Sequence, residues 1–255
     1  MTDIVTASGS WAGRLLGEWD RQQALHRPYR ESGVAVLVAT ARALLGGRPG
    51  TVLELGSGCG SVLARLRLAL PDTRLLGADR DPVLMKIAAE VFRDDTGVQL
   101  VDTDLRDLAT VCPPGTADVI VSCTTLHWLA EAELAAAYRA AYDLLAPGGA
   151  VINLDWMPAK SGEQYQTLAA AQLDEWSRTA EAQGALSWQQ WWNLASEQPE
   201  LHAEMQARSA AAFGRSAEFM PGYEWHESSL AAAGFTEVAE IWRAFDSAAV
   251  LALRR

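Results

Sequence analysis

Residues 51–60, TVLELGSGCG, constrain the fold more tightly than any other stretch. Val52, Leu53 and Leu55 form a short apolar run of strand type that stops at Gly56, and the helical pattern SVLARL begins at Ser61. A strand, a glycine turn and a helix in immediate succession form the opening unit of a doubly wound α/β sheet. Gly56 permits positive φ and lets a ligand lie against bare backbone. The first turn of the helix behind it carries N–H groups that no helical carbonyl satisfies. The unit points to a nucleotide-like ligand.

The spacing narrows the choice. A dinucleotide loop reads G-x-G-x-x-G; here the third glycine arrives one place early, at Gly60, and Ser61 stands in its position. A phosphate P-loop needs G-x-x-x-x-G-K-[ST], and no lysine lies near. Glu54, two residues before Gly56, repels a pyrophosphate but suits a ligand with ammonium and sulfonium charges. Residues 74–78 read as a second strand ending in Asp79, 23 residues after Gly56; an acid at that place accepts both ribose hydroxyls. Arg80 follows, and Asp81-Pro82 reads as the cap and first residue of a helix.

The pattern E-x-G-x-G-x-G resembles motif I of class I S-adenosylmethionine (SAM)-dependent methyltransferases. The resemblance implies that Gly56, Ser57 and Gly58 pass under the methionine part of SAM, with Glu54, Asp79 and Arg80 around them. It also implies an acid after the third strand (98–101) against the adenine amine; Asp104 with Leu105 matches best and Asp102 competes. VSCTTLHWL (121–129) and LLAPGGAVINLDW (144–156) are similar to the family's fourth- and fifth-strand segments. With EWDRQQALHRPYR (18–30), the chain resembles the small-molecule group related to trans-aconitate methyltransferase. Ser57 and Cys59 exchange places relative to the commoner G-C-G-x-G loop, with no expected loss of binding because backbone makes most of the contacts.

The chain has 255 residues, half of them hydrophobic, enough for one large α/β unit with an insertion. A net charge of −11 argues against nucleic acid and anionic membranes as partners. Three cysteines without C-x-x-C spacing argue against a disulfide framework or a zinc site, so no metal is expected. No leader pattern or membrane-length apolar run is evident, which predicts a cytoplasmic protein, monomer or homodimer. Strands and helices alternate at 51–55, 60–70, 74–78, 82–92, 98–101, 117–122, 131–145 and 150–154. The expectation is a Rossmann-like seven-stranded sheet, mostly parallel, with the last strand antiparallel. Four regions follow: 1–50 as N-terminal helices and lid, 51–156 as the SAM-binding core, 157–225 as an inserted helical cap, and 226–255 as a helix and strands completing the sheet.

Ligands of such a sheet lie beyond the carboxyl ends of the strands. Ser122 to His127, Asp155 and Trp156 therefore face the transferable methyl, with Ser122 and Cys123 beside the cofactor. His127 is the candidate base; packing at the sheet edge is its competing role. Asp155 either orients an amine, takes a proton or caps a loop. His26 and Tyr29 belong to a lid over the cofactor, Trp19 and Tyr29 are expected to touch the substrate, and Arg27 or Arg30 offers charge to the SAM carboxylate unless it is an exposed arginine. Trp188, Trp191 and Trp192 share one helix face. They either hold the cap onto the sheet or, with Trp128, Trp156 and Tyr223, line a pocket for an apolar, aromatic or cationic acceptor.

The leading expectation is SAM-dependent methylation of a small molecule in specialised metabolism, at a carboxylate or hydroxyl oxygen, an amine nitrogen, or carbon. The resemblance to the trans-aconitate methyltransferase group favours a carboxylate slightly. The alternatives are a nicotinamide-dependent oxidoreductase, against which Glu54 and the glycine spacing argue, and a non-catalytic partner subunit that keeps the fold.

Overall fold

A computed structural model describes residues 9–211 and 219–255; residues 212–218 of the expected cap lie outside it. Seven strands form one sheet: β1 Thr51–Leu55, β2 Arg74–Asp79, β3 Val98–Asp102, β4 Ala117–Cys123, β5 Leu145–Trp156, β6 Glu237–Ala244 and β7 Ser247–Leu253. Their order is β3-β2-β1-β4-β5-β7-β6. The first five are parallel, and β7 runs antiparallel to both neighbours. Strand order reverses between β1 and β4, which places a crevice above the carboxyl end of β1.

Alternation along the strands feeds both faces. Leu53 and Leu55 of β1 pack beneath α5 (Glu131–Leu144) and α9 (Tyr223–Ala233), with Tyr138 and Leu230. Val52 packs on the opposite face beneath α2 (Arg30–Leu45) and α3 (Ser61–Ala69), with Leu37 and Leu63. Glu54 shares the side of Val52, so its carboxylate points into the layer that holds α2 and α3.

One boundary differs from the sequence reading. The fifth strand begins at Leu145 rather than 150, because Ala146-Pro147-Gly148-Gly149 forms a bulge inside the strand. Leu145 pairs with Ala117 and Ala150 with Val119, so the bulge residues stand opposite Asp118 alone. The N-terminal region opens with a regular helix, α1 (Trp11–His26), capped by Ser10, whose hydroxyl accepts from Gly13 N.

The helices after β5 are α6 (Glu163–Ala182), α7 (Trp188–Ser196) and α8 (His202–Ala210). They rest on other helices rather than on the sheet: α6 and α7 against α1, and α8 against α4 (Pro82–Val91). A third core sits there, built from Leu15, Leu16, Cys59, Ile87, Trp191 and Leu201. No helix among the described residues is long and apolar enough to cross a membrane.

Candidate active site

The carboxyl ends of β1 to β4 open into a cavity of about 560 Å³, roofed by α1, α7 and α8. Its floor is the glycine loop. Gly56, at φ +72°, passes so close to Thr125 that a Cβ would stand 2.0 Å from the threonine Cγ2. Ser57 lines the cavity with its hydroxyl buried, while Cys59 turns away into the third core. The exchanged pair in the loop thus puts a serine in the cavity wall and the thiol in the apolar layer.

Asp79 ends β2 as a braced carboxylate. Its Oδ2 accepts from Gly58 N at 2.8 Å, and its Oδ1 accepts from Arg80 N at 2.7 Å and Asp81 N at 2.9 Å. Burial pushes its pKa up against those bonds. Oδ1 is filled by its two backbone donors, while Oδ2, with one, keeps capacity for a further donor such as a ribose hydroxyl. Asp81 is the expected cap, accepting from Val83 N and Leu84 N. It also accepts from Arg208 Nε at 2.6 Å, which ties α8 to the start of α4.

Glu54 is 2 % exposed, and burial drives its carboxyl well above the usual range although Arg30 opposes the shift. Arg30 is not an exposed arginine. Tyr29 takes a left-handed φ of +63° at the start of α2, and the Arg30 side chain lies buried, donating to Ser61 Oγ at 3.0 Å and Glu31 at 3.0 Å. Eight buried side-chain polar atoms lack a hydrogen-bond partner among the described residues, and four of them belong to this wall: Glu54 Oε2, Arg30 Nε, Ser57 Oγ and Trp192 Nε1. Buried polar groups are normally paired, so the concentration of unpaired donors and an acceptor here fits a polar ligand such as a zwitterionic amino acid joined to a nucleoside.

Asp104 and Leu105 line the cavity, whereas Asp102 is exposed and outside its wall. Arg106 and Arg80 bond the Asp104 carboxylate, and the Arg106 bonds hold its pKa far below normal.

On the acceptor side, β4 ends in Cys123 and a left-handed Thr124 (φ +54°), a strained conformation for a β-branched residue. A short helical turn then carries His127 into the wall. His127 Nδ1 lies 2.7 Å from Asp155 Oδ1, and the His127 backbone N–H donates to Asp155 Oδ2 at 3.1 Å. Burial would raise the Asp155 pKa, but His127, Arg27 and the Trp156 N–H together bring it down to about 2. An ionised Asp155 only accepts, so Nδ1 carries the proton and Nε2 keeps the lone pair in the neutral ring.

The structure divides the remaining expected residues. Trp19, Trp128, Trp188, Trp192, Arg80 and Cys123 line the cavity. Ser122 does not, because its hydroxyl donates to Leu55 O between β4 and β1. Asp155 sits behind His127, and Trp156 lies under the Arg27 guanidinium at 5.1 Å. Tyr29 turns outward against Trp176 and Phe245, and Tyr223 bonds Glu227 beside the α5–α9 core. The tryptophan stripe splits: Trp191 is fully buried, donating to Leu15 O, while its neighbours face the cavity. Thr124 and Thr125, within the expected run after β4, line it too, and so do Arg106 and Arg208, which the sequence reading did not anticipate. Only Arg106 had a local signal, its position two residues after Asp104. Among the described residues, no group of three or more His, Cys, Asp or Glu side chains is placed to hold a metal ion.

Comparison with known proteins agrees with this geometry. Residues 53–151 match the family described as Methyltransferase domain. The fold is that of the class I SAM-dependent methyltransferases. SAM is the cofactor that goes with this fold, and the paired acids, glycine floor and unpaired polar atoms described above fit it. The chain is 32% identical over 133 residues to trans-aconitate 2-methyltransferase of Streptomyces avermitilis, a match covering 51% of this chain and 48% of that protein. It thus spans about half the length of the curated relative. Among solved structures, the CurJ carbon methyltransferase aligns over 99% of this chain and 61% of its own (TM-score 0.62, 14% identity). Human N-acetylserotonin methyltransferase in complex with SAM aligns over 98% and 60% (TM-score 0.53, 15% identity).

Proposed function

We propose that this protein transfers the methyl group of SAM to a small-molecule acceptor, at oxygen, nitrogen or carbon, in specialised metabolism. The observation that carries the reading is that four buried polar atoms without a partner among the described residues belong to residues of one cavity wall, beside the braced Asp79. Bound there, SAM supplies an electrophilic methyl. Glu54 accepts from the ammonium end, Arg30 offers its Nε to the carboxylate, and Asp79 accepts from a ribose hydroxyl through Oδ2. Asp104 and Leu105 stand where the base would lie, with Asp104 held by two arginines. His127 and Asp155 form the proton-handling pair on the acceptor side. The helical roof excludes water and orients the acceptor, which is where an enzyme of in-line displacement contributes most.

The test is thermal. S-adenosylhomocysteine raises the melting temperature and NAD(H) leaves it unchanged; the reverse pattern would favour the oxidoreductase reading. A screen of small acids, phenols and amines, read by mass gain of one methyl, separates turnover from the occupancy that a non-catalytic subunit would also show.

A further inference from the structure

Accepting the SAM reading above, we infer that the acceptor is a planar aromatic hydroxyl compound, a phenol, whose proton passes to His127 Nε2 as its oxygen is methylated.

Two independent features converge on this class. The first is aromatic. Four indoles line the cavity: Trp19, Trp128, Trp188 and Trp192. Trp128 and Trp188 are each 39 % exposed, unusual for the largest apolar side chain, and both border the same opening. The cluster is braced from behind. Trp191 packs edge-on to Trp192 (5.0 Å, 90°) and to Trp19 (4.8 Å, 73°), and Trp188 packs against Trp192 (5.8 Å, 67°). A set of ring faces and edges held in place by one another suits a flat aromatic ring.

The second feature is the His127–Asp155 pair. A carboxylic acid is already ionised at neutral pH, so it gains nothing from a buried base. A protonated amine needs a base, but it would arrive as a cation next to Arg27, whose charge already acts on Asp155. A phenol arrives neutral, needs deprotonation, and becomes anionic in the transition state, where that guanidinium stabilises it. The step balances. The phenolic O–H bond breaks and its proton joins Nε2. The oxygen bonds to the methyl carbon as the carbon–sulfur bond breaks with its electron pair left on sulfur. The resulting imidazolium later loses its proton to water.

The test uses three probes of one shape: 2-naphthol, 2-naphthoate and 2-(aminomethyl)naphthalene, each with SAM and the full chain. Methyl transfer to 2-naphthol is expected, at a rate at least tenfold above the other two. His127→Gln should lower that rate by about 100-fold or more, and far less with a nitrophenol already ionised at neutral pH, a contrast that a merely structural role for His127 would not produce. Trp188→Ala should weaken 2-naphthol binding by about tenfold with S-adenosylhomocysteine binding unchanged. Preferential methylation of the naphthoate or the amine overturns the phenol assignment, as does an equal loss with both phenols in His127→Gln. No turnover of 2-naphthol and no quenching of tryptophan fluorescence by it, in protein that still binds S-adenosylhomocysteine, also overturns it. Loss of that binding itself would instead count against the SAM reading beneath it.

Discussion

Glu54 is an expensive residue for the empty protein to keep. It sits 2 % exposed with one oxygen unpaired, and its carboxyl titrates well above its usual range because burial disfavours the charge. A carboxyl whose folded pKa is raised binds a proton more tightly in the folded than the unfolded state. Its contribution to stability is therefore complete below its unfolded pKa of 4.5 and declines as pH rises through the window above it. The ligand's ammonium reverses that balance by giving the charge a partner. Glu54→Gln should accordingly raise the melting temperature of the empty protein near neutral pH. The same change should weaken S-adenosylhomocysteine by at least about tenfold, the size expected of a charge-assisted hydrogen bond contributing roughly 1.5–3 kcal/mol. Calorimetry of both quantities checks the pair; a variant less stable yet equally tight in binding would remove Glu54 from the site.

Elements differ in how openly the sequence declares them. The glycine turn, Asp79 and the Asp81-Pro82 start of α4 each follow from local chemistry, and the strand alternation that fixes the sheet is local too. The bulge in β5 is not, because Pro147-Gly148-Gly149 looks like a stop until the pairing with Ala117 on one side and Val119 on the other is known. Nor is the Asp81–Arg208 bond, which joins residues 127 apart in the chain. The Trp188/191/192 face is intermediate: spacing shows one stripe, and only packing against α1 decides which ring is core. Elements are also joined by a buried polar chain through His226. Its Nδ1 lies 2.7 Å from the Tyr138 hydroxyl, which accepts from Asn153 Nδ2 at 3.1 Å, linking α9, α5 and β5. Burial lowers the His226 pKa to about 4. The unfolded chain then binds the extra proton between pH 6.5 and about 4 while the folded chain does not, so stability is full above pH 6.5 and falls as pH drops across that interval. The loss is on the order of 3 kcal/mol. His226→Asn, whose amide reaches the Nδ1 position, should flatten that part of the stability profile in denaturant titrations at several pH values. A profile with unchanged slope would mean that His226 protonates as readily in the folded protein.

At the scale of the whole molecule, the cavity is where separate layers meet. The sheet contributes Glu54, Asp79 and Cys123; α1 contributes Trp19 and Gln23; α7 and α8 contribute Trp188, Trp192 and Arg208. None of the last three helices rests on the sheet except through α3 and α4, so their alignment over the strands depends on helix contacts and on the Asp81–Arg208 bond. A ligand that touches floor and roof together adds its binding energy to that alignment, about 2.7 kcal/mol at a hundred times its dissociation constant. Local opening of the roof should then become rarer when the cavity is filled. Hydrogen exchange with and without S-adenosylhomocysteine should therefore show slowed exchange in the glycine loop, α1, α7 and α8. The β6–β7 hairpin, which supplies no residue to the cavity wall, should stay unchanged. Protection confined to the glycine loop would mean that the roof closes on the acceptor alone, and adding 2-naphthol to the S-adenosylhomocysteine complex should then be what slows α7 and α8.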